Sequence, residues 1–212
     1  MALTALQQIE TAFGVAGLQS LPDGANERFR LYLELLLLWN QKIALTAVRT
    51  PEEIIKRHFV ECAFVAQHLP LEIGTLLDFG SGAGFPGIPI AICRPEIKVT
   101  LAESQQKKAA FLEEAVRVLR ISSEVFGRRV ETMPETRGFD AVALRAVDKM
   151  QRALSVARPR ASRFLVLITT EQARKIHESL GKDFVWQEPV PLPYGIQSIL
   201  LLGVRQPASP PK

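Results

Sequence analysis

The sequence predicts an α/β fold: a mostly parallel sheet of about seven strands ending in an antiparallel pair, behind an N-terminal helical extension. Three observations predict it. From Thr75 onward, short β-rich runs alternate with stretches of helical periodicity. A loop with three alternate glycines closes the first of those runs, where a strand turns into a helix. The last two β-rich runs have no helix between them, so they can pair only antiparallel.

Residues 1–70 read as the helical extension. Phe29, Leu33, Leu36 and Trp39 recur at three- and four-residue steps and form one apolar stripe. A further helix starts at Thr50-Pro51-Glu52-Glu53, where Thr50 can cap, Pro51 suits the first turn and Glu53 can complete a capping box. It should run to about His68. Residues 71–205 read as one α/β domain, with strands at Thr75–Phe79, Ile97–Ala102, Glu124–Gly127, Phe139–Leu144 and Arg163–Thr169. The clearest helix between them is Lys107–Arg120, where Ala109, Leu112, Val116 and Leu119 share a face. Right-handed crossovers then give a parallel sheet. Asp183–Val190 and Gln197–Val204, joined by a short connection through Pro191 and Gly195, make the antiparallel finish. Residues 206–212, rich in proline, should be disordered.

Composition narrows the function classes. With 47% apolar and 23% charged residues, the 212-residue chain has the balance of a soluble globular protein. No apolar stretch is long enough to cross a bilayer, and the first ten residues lack the pattern of a secretion signal. Cys62 and Cys93 stand alone, which argues against a metal site and for a reducing cytoplasm. The net charge of +4 hints at a polyanionic partner. Its distribution says more: Arg145, Lys149, Arg152, Arg158, Arg160 and Arg163 face a single acid, Asp148, within one segment. Lys149, Arg152, Arg158 and Arg160 are the candidate contacts to RNA phosphates.

The glycine loop runs Asp78-Phe79-Gly80-Ser81-Gly82-Ala83-Gly84-Phe85-Pro86-Gly87. It fits two spacings: Gly80-x-Gly82-x-Gly84, usual for S-adenosylmethionine, and Gly82-x-Gly84-x-x-Gly87, the dinucleotide pattern. Pro86 offers no N–H to a pyrophosphate at the helix start, and little chain remains to build a second substrate domain. Both points favour the methyl donor. Glu103, at the end of the second strand, can accept the two ribose hydroxyls of either cofactor. The elements and the loop together give the layout of a Rossmann-like class I S-adenosylmethionine-dependent methyltransferase. Cytosine C5 chemistry would need a cysteine nucleophile in a Pro-Cys pair, and none is present. Amine methylation usually shows a Pro-Pro-aromatic motif, where this chain has Leu144-Arg145-Ala146-Val147. A ring nitrogen with a free lone pair, such as guanine N7, needs neither nucleophile nor base.

Several blocks resemble one family. They are Ala44 to Arg49, Arg57-His58-Phe59, Asp78 to Pro89, and Phe139-Asp140 with Arg145-Ala146-Val147. They are similar to the bacterial small-subunit (16S) rRNA guanine-N7 methyltransferases, also called glucose-inhibited division B proteins. The resemblance covers nearly the whole chain. It implies S-adenosylmethionine-dependent methylation of guanine N7 in the decoding-region loop of 16S rRNA, on naked RNA or on a small-subunit particle. By the resemblance, Gly80 and Phe85 line the donor pocket with Asp78, Gly82 and Gly84, and Val130 and Glu131 flank the adenine. Arg145 sits beside the methionine moiety or the guanine and is the catalytic candidate. His58 reads equally as a residue facing the core.

The chain departs from the family pattern at Ala44 (usually Asn), Leu144 (Ser), Leu167-Ile168-Thr169 (a Leu-Lys-Gly run) and Gln197-Ser198 (an Arg-His pair). Each swap removes a polar or cationic group near the expected substrate edge. They keep open an alternative: a non-catalytic RNA-binding or cofactor-sensing relative that retains the donor pocket.

Overall fold

The structure, a computed structural model, describes residues 3–18, 20–134, 136–147, 149–170, 173–174, 183–195 and 197–206. Most of the proline-rich tail expected to be disordered lies outside the described residues.

Two helices open the chain, α1 (Ala5–Val15) and α2 (Ala25–Asn40). Thr4 and Gln7 form a reciprocal capping box at the start of α1. The expected stripe on α2 faces inward, with Phe29, Leu33 and Leu36 buried. The next helical stretch starts as α3 (Pro51–Ile54), passes through a π-helical segment (Ile55–Val60) and continues as α4 (Glu61–His68). Thr50 caps it as expected: its hydroxyl accepts from the Glu53 N–H at 3.3 Å and donates to the Glu53 carboxylate at 2.8 Å.

The α/β part follows as β1 (Thr75–Phe79), α5 (Gly87–Cys93), β2 (Lys98–Ala102), α6 (Gln106–Leu119) and β3 (Ser123–Phe126). It continues through β4 (Phe139–Arg145), α7 (Met150–Ala157), β5 (Ala161–Thr170), β6 (Phe184–Trp186), β7 (Val190–Pro191) and β8 (Ser198–Arg205). The expected strand at 183–190 is thus two short strands, and the sheet has eight strands rather than about seven. Pro189 interrupts it, since proline lends no N–H to a ladder.

The strand order is β3-β2-β1-β4-β5-β8-β6, with β7 also paired to β8. The pairs from β3 to β5 are parallel, and β8 runs antiparallel to β5, β6 and β7. The chain enters at β1, moves outward to β3 and returns to β4 on the other side of β1. That reversal opens a crevice beyond the carboxyl ends of β1 and β4, the usual place for a ligand in an open α/β sheet.

One buried cluster joins the extension to a face of the sheet. Tyr32 of α2 stacks on Phe59 at 5.2 Å between centroids and meets Phe85 of the glycine loop at 5.5 Å. The Tyr32 hydroxyl donates to the Ala83 carbonyl. The helical extension therefore holds the glycine loop from behind.

Candidate functional site

A cleft of about 850 Å³ occupies the crevice at the carboxyl edge of the sheet. Its walls come from the loops after β1, β2, β3 and β4 and from the extension, through Leu45, Thr46, Arg57 and His58.

The glycines divide by function. Gly80, Gly82 and Gly84 all have positive φ, at 72°, 58° and 93°. Gly80 and Gly82 line the cleft. A Cβ on Gly82 would meet nothing nearer than the Gly80 carbonyl at 3.9 Å, so the space beside it is open to a ligand. Gly84, expected in the donor pocket, is not among the residues that line the cleft. A Cβ there would strike Ile88 and come within 2.9 Å of the Tyr32 hydroxyl, so Gly84 permits loop-to-helix packing instead. Asp78, also expected there, is set back from the cleft. It is fully buried beneath the loop, outside the cleft lining, and its Oδ2 accepts the Gly87 N–H at 3.0 Å. Burial raises its pKa to about 7. Its work is to shape the turn, and Gly87 has no side chain because a Cβ would sit 2.6 Å from that carboxylate.

Glu103 lines the cleft and is 7% exposed. It accepts the Gly82 N–H at 3.0 Å on one oxygen and the Gln105 N–H at 2.7 Å on the other. A carboxylate oxygen has a second lone pair, so the group stays able to accept two hydroxyls while its orientation is fixed. Val130 and Glu131 lie in a 3₁₀ turn, Val130–Thr132, and both line the cleft. Val130 is buried, and Glu131 pairs with Arg152 at 3.5 Å. An oriented carboxylate, an apolar wall and an open glycine edge thus meet in one cleft.

On the side facing the extension, Phe85 packs against His58 at 4.6 Å between ring centroids. His58 Nε2 lies 2.9 Å from the Thr46 hydroxyl, and Nδ1 lies 3.0 Å from the Arg57 carbonyl. Burial, with the Arg145 charge adding to it, pushes the His58 pKa down to about 3. A neutral ring with both nitrogens engaged is a wall of the cleft. Arg145 also lines the cleft, with its guanidinium 5.9 Å from the Phe85 ring centre. It is held by Glu61, Cys62 and the Arg57 carbonyl.

The expected RNA contacts split into two pairs. Lys149 and Arg152 line the cleft and are exposed. Arg158 and Arg160 do not belong with them. Helix α7 returns the chain to the amino-terminal edge of the sheet, where β5 begins at Ala161 beside Phe139. There Arg158 pairs with Asp183 at 2.5 Å. Arg160 is buried, donating to the Val156 and Met133 carbonyls. Three cations that sequence reasoning missed join Lys149 and Arg152 around the cleft: Lys108, Arg128 and Arg129. The adjacent basic pair just before Val130 was a signal available in the sequence.

The departures from the family pattern border this cleft without lining it: Ile168 pairs with Arg145 across the sheet, and Ala44 and Leu144 precede the lining residues Leu45 and Arg145. None of Ala44, Leu144, Leu167, Ile168, Thr169, Gln197 or Ser198 lines it. Leu144, Leu167 and Ile168 are buried in the sheet, whereas Gln197 is exposed. Among the described residues, no helix is long and apolar enough to cross a membrane, and no cluster of His, Cys, Asp and Glu could hold a metal ion.

Residues 25–187 match the family model described as rRNA small subunit methyltransferase G, a span that includes the whole cleft lining. The chain is 40% identical over 153 residues to the Ribosomal RNA small subunit methyltransferase G of Methylobacillus flagellatus, covering 72% of this chain and 73% of that one. Its match to the protein of the same name from Xanthomonas euvesicatoria is 42% identical over 126 residues, covering 59% of this chain and 58% of the relative. Among solved structures, a SAM dependent methyltransferase from Aquifex aeolicus superposes with a TM-score of 0.55 at 16% identity, covering 74% of this chain and 93% of the other. That likeness is one of fold, and it agrees with the Rossmann-like layout expected from the sequence.

Proposed function

The chain belongs to the rRNA small subunit methyltransferase G family, and from that premise we propose that it transfers a methyl group from S-adenosylmethionine to N7 of a guanine in the decoding-region loop of 16S rRNA. The observation that carries the reading is the cleft itself. It combines an oriented ribose acceptor, an open glycine edge and a basic rim at the one place where the sheet presents a ligand crevice.

Bound there, S-adenosylmethionine supplies a methyl group on a sulfonium, open to in-line attack by a nucleophile. The protein's share is binding and alignment. Glu103 accepts the ribose hydroxyls, and Val130 with Phe79 and Ala102 offers the adenine an apolar wall. Gly80 and Gly82 let the ligand approach the backbone. The guanine enters between this donor side and the wall of His58, Phe85 and Arg145. His58 has its ring nitrogens engaged and stays neutral, so it serves as a surface rather than a base. N7 brings its own lone pair, so the chemistry asks for no proton acceptor.

Around the mouth, Lys108, Arg128, Arg129, Lys149 and Arg152 meet the phosphates that flank the target base. The reaction belongs in the cytoplasm, on ribosomal RNA or on a small-subunit particle. The alternative, a relative that binds donor without transferring methyl, rested on lost polar groups at the substrate edge. The match to the methyltransferase family, which runs through the whole cleft, favours the enzyme.

The test is incubation with isotopically labelled S-adenosylmethionine and small-subunit RNA lacking the modification, both naked and in subunits. Mass mapping should find one N7-methylguanine in the decoding loop. Label at another atom or another loop would replace the target. Donor binding without transfer to either substrate would support the non-catalytic alternative.

A further inference from the structure

Arg145 ends β4, yet its bonds run to the extension. Nη2 donates to Glu61 Oε2 at 2.6 Å and to the Arg57 carbonyl at 2.7 Å, and Nη1 donates to Cys62 Sγ at 3.0 Å. These three bonds leave the Nε hydrogen and one Nη1 hydrogen uncommitted among the described residues, and Arg145 lines the cleft.

Glu61 is the costly partner in this arrangement. It is 3% exposed, and burial pushes its pKa up while the Arg145 charge pulls it down. The loop between β7 and β8 closes over it: a Cβ on Gly195 would lie 3.2 Å from its other oxygen. A buried ion pair is seldom more stable than apolar residues of the same volume. Stability alone therefore does not account for a carboxylate at this place on α4. Glu61 is not part of the cleft lining, so it does not meet substrate directly.

We propose that Glu61 is a positioning residue for the methyl transfer. It fixes the rotamer and plane of the Arg145 guanidinium, so that the two uncommitted hydrogens meet the donor or the base in one orientation. An arginine on a flexible stem is otherwise free to point into solvent, and ordering it beforehand removes that entropy from the reaction. The clamp also makes the extension part of the active site: the acid comes from α4, the carbonyl from the π-helical segment and the arginine from the sheet.

The inference rests on the proposed methyl transfer, so its test has one readout that is independent of activity. Glu61→Gln and Glu61→Asp are compared with wild type in single-turnover methylation at saturating donor and RNA, alone and in an Arg145→Ala background. Glu61→Gln should slow transfer by about tenfold or more, and Glu61→Asp should recover part of the rate. In the Arg145→Ala background, Glu61→Gln should change the rate by less than about twofold, because the two residues act as one unit. Equal losses in both backgrounds, or wild-type transfer by Glu61→Gln, would overturn the proposal. Should Glu61→Gln fail to fold, Glu61→Asp carries the same comparison.

Nitrogen-15 arginine spectra give the independent readout. Slow rotation should resolve the Arg145 Nη signals in wild type, and they should merge in the Glu61 variant that folds. If wild-type protein transfers no methyl to its RNA, the functional reading fails and these spectra still decide the clamp. An Arg145 signal already merged in wild type would refute it.

Discussion

Gly82 and Gly84 stand two residues apart in one loop, yet a methyl group would have a different effect at each. At Gly82 the added Cβ enters open space beside the cleft, and the cost is the left-handed backbone, about 1–2 kcal/mol. At Gly84 the same strain is joined by collision with Ile88 and the Tyr32 hydroxyl, an overpacking penalty of a further ~1–3 kcal/mol. Gly82→Ala should therefore keep its fold and lose donor affinity by about tenfold, roughly 1.4 kcal/mol. Gly84→Ala should melt markedly lower, with near-normal donor affinity in the fraction that folds. Calorimetric titration and thermal melting of both variants check this, and equal behaviour of the pair would refute the division. The spacing of these glycines, with Glu103 one strand later, was legible in the sequence because a tight turn has few solutions. Their separate duties were not. What decides them is which side chain lies across the gap, and Tyr32 and Ile88 are set by packing.

At the scale of elements, α7 explains why one basic run became two groups. Its eight residues advance the chain by about 12 Å and, with the 3₁₀ turn Arg158–Arg160 that follows, bring it from the carboxyl edge of the sheet to the opposite one. Sequence proximity therefore misled, whereas strand spacing did not. Most of the parallel strands were readable from apolar runs and turns, because β1, β2, β4 and β5 are buried on both faces. The short β6 and β7 were read as one strand, although Pro189, which lends no N–H to a ladder, falls in the gap between them.

A salt titration of RNA binding separates the two basic groups. Replacing Lys149 and Arg152 with Gln should weaken binding and flatten the log-affinity against log-salt slope by up to about 1.4, at roughly 0.7 per single-strand phosphate contact. Replacing Arg158 and Arg160 with Gln should leave the slope unchanged and lower the melting temperature, since it breaks the Asp183 pair and the carbonyl bonds. A slope change in the second variant would place RNA at the other edge of the sheet. Lys149 and Arg152 also line the cleft, so their replacement is expected to touch donor affinity too.

At the scale of the whole molecule, the helical extension and the α/β domain share a core. Phe13 and Phe29 lead through Phe59 and Tyr32 to Phe85 and Phe111, a chain of ring contacts that crosses from α1 to the glycine loop and α6. The sequence showed the two zones by their periodicity. It could not show that they dock, because residues such as Tyr32 and Phe85 meet only in three dimensions. We infer that the chain unfolds in one cooperative step, because the ring contacts tie the extension to the glycine loop. The two tryptophans report on different buried clusters: Trp39 packs on the one that holds the ring chain, and Trp186 on a second one with Leu77, Val142 and Leu165. Trp39 donates from its indole to Glu114 across the α2–α6 contact at 2.9 Å, and Trp186 lies in the terminal strand β6. In Trp39→Phe and Trp186→Phe proteins, each with one tryptophan left, the fluorescence midpoint in urea should coincide with the loss of helical circular dichroism. Phe59→Ala, which empties the centre of the ring chain, should lower the midpoint of both reporters together, by about 3–5 kcal/mol of stability. If Trp39 reports an early transition while Trp186 reports a later one, the extension is a separate unit docked on a self-sufficient domain. The Arg145 clamp could then open with the extension while the sheet stays folded.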